Sequence, residues 1–186
     1  MGTRQGHLLQ YTFQQHATEN KMELQLLQYD KNFSKKPINQ IEVIEDNSLL
    51  FSLSDNVISV NDTSRHNFPL IHQAVRTKGA NVFCLDIKRL SSLTGILKYI
   101  IRLINYFSIT IFNSYFLNYI LEQITLTVRV CVAVKRKLQL YYWKRDEMLE
   151  FAPDIELNDI PKILAWTGNF ICVGYKTEYC LFDVCY

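Results

Sequence analysis

One short phrase recurs along this chain: an apolar strand, a small residue, a basic turn and a second apolar strand. Cys131-Val132-Ala133-Val134-Lys135-Arg136-Lys137-Leu138-Gln139-Leu140 is answered by Cys172-Val173-Gly174-Tyr175-Lys176-Thr177-Glu178-Tyr179-Cys180-Leu181. Gly2-Thr3-Arg4-Gln5-Gly6-His7-Leu8-Leu9 opens the chain on the same phrase, and Ser52-Leu53-Ser54-Asp55-Asn56-Val57-Ile58 is a looser copy. An isolated hairpin has no second layer to cover its apolar face, so repeated hairpins bury themselves only by stacking on one another. A return about every 40–50 residues is the pattern of β-propeller blades.

The spacing also isolates a foreign block. The small residues of the phrase stand at Gly2, Ser52, Ala133 and Gly174, with gaps of 50, 81 and 41 residues. Residues 96–127 form a 32-residue stretch of different composition, and leaving it out brings the middle gap to 49. Its charges are Lys98, Arg102 and Glu122, and it contains no Gly, Ala, Val, Pro or Asp. Residues 103–121 are uncharged over 19 positions, near the length of a bilayer-spanning helix. A membrane helix with its basic flank on the cytosolic side is one reading, and a natural insertion loop is another. Six polar residues, Asn105, Ser108, Thr110, Asn113, Ser114 and Asn118, interrupt the run. A vocabulary that A/T-rich codons spell favours translated non-coding sequence, such as a retained intron. The expected organisation is therefore 1–95 and 128–186 as two parts of one blade array, with 96–127 a helical apolar insertion between them.

Short strands are expected at 6–13, 22–29, 38–44, 49–53, 57–60 and 80–87, and then at 128–134, 138–143, 162–166, 170–175 and 179–184. Turn chemistry separates them at Asp46-Asn47, Ser54-Asp55-Asn56, Asp146-Glu147 and Thr167-Gly168-Asn169. No helical pattern alternates with the strands, which disfavours a parallel α/β sheet. The fold class is all-β: an incomplete propeller of about three to four WD40-like blades. The chain starts inside a repeat unit and ends at Tyr186 just after another hairpin, the expectation for a fragment. Trp143 and Trp166 follow apolar strands and are expected to pack between blades.

A net charge of +2 over 186 residues gives no strong pull toward nucleic acid. The five cysteines lack paired C-x-x-C spacing and sit mostly in apolar runs, as reduced, buried thiols do in a reducing compartment. No phosphate-cradling glycine loop, G-x-S-x-G elbow or H-E-x-x-H is present. The histidines His7, His16, His66 and His72 are scattered, and Asp154, Glu156 and Asp159 read as an acidic loop before Pro161. No catalytic, cofactor-binding or metal-binding residue is expected, and no small-molecule substrate. The candidate contact residues are Lys31, Lys35 and Lys36 around Phe33, and Lys135, Arg136 and Lys137 in a hairpin turn. They suit anionic lipid or an acidic partner, or simply solvated turns.

The 2–9 phrase, Lys31-Asn32-Phe33-Ser34-Lys35-Lys36, and the phrases beginning at Val130 and Ile171 resemble the citron-homology (CNH) domain family, specifically the CNH propellers of HOPS tethering-complex subunits. The resemblance spans 2–95 and 128–184 and stops at the foreign block. It implies a non-catalytic platform in late endosome and lysosome fusion, vesicle-mediated protein transport and autophagy. The implied partners are other HOPS subunits and a late-endosomal Rab GTPase. The implied location is cytoplasmic and peripheral on the late endosome or lysosome membrane. The alternative is a regulatory CNH domain of a kinase or GTPase exchange factor.

Overall fold

A computed structural model describes residues 1–15, 22–88 and 127–184. They form antiparallel sheets joined by tight turns. Strands β1 (Leu8–Gln15) and β2 (Met22–Asp30) make a two-stranded sheet. Strands β3 (Ile38–Ile44), β4 (Leu49–Ser54), β5 (Val57–Asp62) and β6 (Leu70–Ala74) make a four-stranded meander. A second meander contains β7 (Ala80–Lys88), β8 (Thr127–Val134), β9 (Lys137–Lys144) and β10 (Glu147–Glu150), and the two-residue β11 (Ile155–Glu156) extends its β9 edge. Strands β12 (Ile163–Thr167), β13 (Phe170–Gly174) and β14 (Tyr179–Asp183) form the last sheet. The all-β class is as expected, and the strands on the main path of each sheet follow chain order, as in an antiparallel meander.

The turns explain why these strands reverse where they do. Asp55 and Asn56 both take positive φ (52° and 58°) between the paired ends Ser54 and Val57. Arg145 and Asp146 do the same (53° and 61°) between Lys144 and Glu147. Two left-handed residues match the twist of the flanking strands, and Asp and Asn tolerate that conformation.

Strand alternation on β8 then builds two of the three cores among the described residues, the third being Leu8, Leu50 and Phe68. On β8, Val128, Val130 and Val132 face Phe51, Leu53, Ile58 and Val60 of the preceding sheet. The intervening Cys131 and Ala133 face Leu164, Trp166, Ile171 and Val173 of the following one. A sheet covered on both faces buries successive residues, which is why β4 and β8 read as nearly continuous apolar runs. Each large side chain so buried contributes about 1.5–3 kcal/mol, far more than a single turn supplies.

The tryptophans fill the space between sheets, as expected. Trp143 sets its ring edge-on to Phe51 at 5.5 Å and near His72 at 6.1 Å. Trp166 lies near-parallel to Phe151 at 6.3 Å. Gln40 ties β3 to β7: its Nε2 donates to the Phe83 carbonyl at 2.7 Å and its Oε1 accepts from the Phe83 N–H at 3.1 Å.

Three strands lay outside the sequence expectation. Strands β6 and β10 are outermost and bury one residue each, Ala74 and Met148, so neither carries a strong apolar alternation. Strand β11 is too short for any periodic signal. Strand β12 starts at Ile163, one residue after its expected start.

Lys88 and Thr127 are paired rungs of β7 and β8, so 89–126 connect neighbouring strands of one sheet. The 96–127 block lies outside the described residues apart from Thr127, which begins β8. The uncharged run 103–121 lies wholly outside them. Among the described residues, no helix is long and apolar enough to cross a membrane.

Candidate functional site

The leading strands β3, β7 and β12 run side by side in the same direction. Besides the Gln40 link, Asn81 at the start of β7 donates its side-chain amide to the Pro161 carbonyl just before β12. Near the other end of these strands, Arg129 donates to the carbonyl of Gly168 in the β12–β13 turn. The loop entering β3, the β4–β5 turn, the segment entering β7, the β8–β9 turn and the β13–β14 turn therefore share one end of the sheet stack.

That end is basic. Lys35 and Lys36 lie in the loop before β3, Lys78 before β7, Lys135 and Arg136 in the β8–β9 turn, Lys162 before β12 and Lys176 in the β13–β14 turn. All are exposed. Backbone bonds knit these turns together. Gly79 and Ala80 N–H groups donate to the Asn56 carbonyl at 2.9 and 3.0 Å, and Leu157 N–H to the Arg136 carbonyl at 2.9 Å. Asp55, Glu156, Asp159 and Glu178 are the exposed acids beside them. The opposite end carries Glu45, Asp46, Asp62, Asp146, Glu147 and Asp183 against Arg65, Lys88, Lys144 and Arg145, and Arg65 is paired with Asp62 at 3.2 Å. The described residues thus separate their charge along the strand axis.

The structure sorts the six cations singled out in the sequence. Lys35, Lys36, Lys135 and Arg136 come together on this rim. Lys137 Nζ is held 2.9 Å from Glu156 and 3.6 Å from Asp154, so the acidic loop is the partner of the basic turn. The Glu156 hydrogen bond and charge, with Asp154 behind them, push the Lys137 ammonium above its ordinary value. Lys31 instead lies 5.6 Å over the Tyr29 ring, beside His66 and Asn67. Lys78, Lys162 and Lys176 were missed because none of them stands directly beside a second basic residue.

The distinctive 31–36 phrase has a structural role. Gly6 has φ +83°, and a Cβ there would run into the Ser34 and Lys36 carbonyl oxygens. The Gly6 carbonyl accepts from Ser34 N–H at 3.0 Å. Ser34 Oγ and Ser54 Oγ share a 2.6 Å bond, and Ser54 Oγ also reaches the Lys36 and Pro37 carbonyls. Phe33 packs edge-on against Phe68 at 6.3 Å. The loop's polar and aromatic members dock it, and its lysines are left in water.

Among the described residues, no group of three or more His, Cys, Asp or Glu is placed to hold a metal. Cys84 and Cys131 are directly paired on β7 and β8 as buried free thiols, and Cys172 and Cys180 are free and half-buried. Burial, with the Cys84 thiol alongside, pushes the Cys131 thiol well above its ordinary value, the state of an inert core cysteine. Cys185 and His16 lie outside the described residues.

No protein-family model matches the chain. It is 33% identical over 186 residues to a vacuolar protein sorting-associated protein 39 homolog of Drosophila melanogaster. It is 35% identical over 195 aligned residues to a human Vam6/Vps39-like protein and 34% to its mouse counterpart. Each alignment covers 99% of this chain and 18% of the relative. Over almost its whole length, the chain is related to a segment of the Vps39/Vam6 proteins.

Proposed function

We propose that this chain is part of a non-catalytic binding platform in a vesicle-tethering subunit. Its stacked meanders would be successive blades of a CNH propeller, with 1–95 and 128–186 as one array. The process is late endosome and lysosome fusion, with autophagic delivery using the same machinery. The partners are other HOPS subunits and a late-endosomal Rab GTPase, and the location is cytoplasmic and peripheral on that membrane. The carrying observation is the relationship to Vps39/Vam6 proteins over 99% of the chain, whose names place those relatives in vacuolar protein sorting.

The test is capture of purified late-endosomal Rab GTPase, loaded with GTP or GDP, by the protein carrying this chain, together with co-isolation of HOPS subunits from cells. Nucleotide-dependent capture with recovered subunits supports the reading. Recovery of neither, from protein verified as folded, would sink it.

A further inference from the structure

We infer that the basic rim is a docking face for an anionic phospholipid surface. The inference deepens the platform reading and rests on it. Three observations carry it. First, the exposed cations sit at the tips of turns from three separate sheets, linked by the Asn56–Gly79, Arg136–Leu157 and Asn81–Pro161 hydrogen bonds. They do not converge on one enclosed point, as a site for a single small anion requires. They spread as an array, mostly of lysines, whose compact point charges match a layer of headgroups.

Second, an uncovered apolar side chain stands among these cations. Ile160, in the loop entering β12, is 42% exposed and two residues from Lys162. An aliphatic side chain beside lysine suits the membrane–water interface, where apolar groups enter the headgroup layer and cations stay in water.

Third, among the described residues the opposite end carries six acids against four cations, so an anionic surface attracts the described residues of the basic end more strongly than those of the other. The net charge of +2 supplies little attraction by itself. Orientation therefore comes from the separation of charge, within about a Debye length of the surface.

The experiment is vesicle co-sedimentation of the whole chain with phosphatidylcholine liposomes, with and without phosphatidylserine, across a salt series. Strand β9 provides a matched control, because its two ends enter hairpin turns at opposite ends of the stack. Lys135→Glu with Arg136→Glu changes the basic rim. Lys144→Glu with Arg145→Glu makes the same change in net charge at the other end. The rim variant should lose at least about tenfold in partitioning, and the control should stay within about twofold of the parent. Lys162→Glu with Lys176→Glu should reproduce the loss if the first rim variant folds poorly, and Ile160→Ser should weaken binding without altering its salt dependence. Inorganic phosphate at ionic strength matched with chloride should compete no better than chloride, which separates a headgroup layer from a free-phosphate site.

Equal losses in rim and control variants, or equal partitioning onto vesicles lacking phosphatidylserine, would overturn the inference. Binding to intact late-endosomal membranes but not to protein-free vesicles would also overturn it, assigning the rim to a protein while the platform reading stands. Binding to neither would remove both.

Discussion

Arg129 and Asp86 face each other as paired residues of β8 and β7, with Arg129 Nη2 2.6 Å and Nε 2.9 Å from the same carboxylate oxygen. The two residues are only 4% and 8% exposed. The guanidinium also donates to the Gly168 carbonyl and lies 4.4 Å over the Trp166 ring. One side chain thus joins two strands of its own sheet and fastens that sheet to the next. The pair sits two residues from the Lys88–Thr127 rung, where the chain leaves and re-enters the sheet.

Removing one partner of a buried pair is far more damaging than removing both, because the remaining charge is left unpaired away from water. Asp86→Ala is expected to destabilise the chain by about 3–5 kcal/mol. Asp86→Leu combined with Arg129→Met should recover most of that loss. Urea midpoints for a double-mutant cycle decide the matter. A loss under about 1 kcal/mol for the single change would mean the pair is solvated and not holding the sheets.

The Gly6 turn should tolerate no side chain. Gly6→Ala combines strain at φ +83° with a clash against the Ser34 carbonyl. The expected loss is about 1–3 kcal/mol, localised to the 31–36 loop. Hydrogen exchange at Ser34 and Lys36 should accelerate while exchange in β8 stays slow. Acceleration of β8 by the same factor would show that the turn is coupled to the whole fold.

Alkaline pH should expose the burial of Tyr141. Its phenol is pushed up to about 12, first by burial and then by the nearby charge of Glu150. The unfolded phenol begins to ionise near pH 10 and the folded one does not, so this stabilising contribution is intact below pH 10. It is lost as pH rises from 10 toward 12, by up to about 1.4 kcal/mol per pH unit. Tyr141→Phe gives up a 2.9 Å hydrogen bond to Gln139 Oε1 and should be about 1 kcal/mol less stable at neutral pH. Its stability should then fall less steeply above pH 10. Parallel stability curves for the two proteins between pH 7 and 11 would contradict the assignment.

The segment between the paired residues Lys88 and Thr127 should be dispensable for the sheet. Replacing 89–126 by an Asn-Gly turn joins two adjacent rungs with the commonest hairpin chemistry. The shortened chain is expected to melt no lower than the parent and to aggregate less, since 103–121 is a long uncharged apolar run. A lower melting temperature with loss of solubility would show that the insertion supports the fold.

Strand β3 occupies the very residues expected for it, and β4, β8 and β13 differ from expectation by a single residue at one end. Period-two apolar alternation and turn residues such as Asp55-Asn56 are local properties, and a linear sequence carries them in full. The sequence also placed Lys35, Lys36, Lys135 and Arg136 in exposed turns, since charged residues between apolar strands have nowhere else to go.

What the sequence could not state is which turns share an end of the stack. Lys78, Lys162 and Lys176 join the rim only because β3, β7 and β12 run side by side. Lys137, indistinguishable in sequence from Arg136, leaves it because β11 brings Glu156 against β9. Asp86 and Arg129 are 43 positions apart and become neighbours through strand register. Coulomb attraction and desolvation depend on distance and burial through space, and those quantities come into being only when the sheets pack.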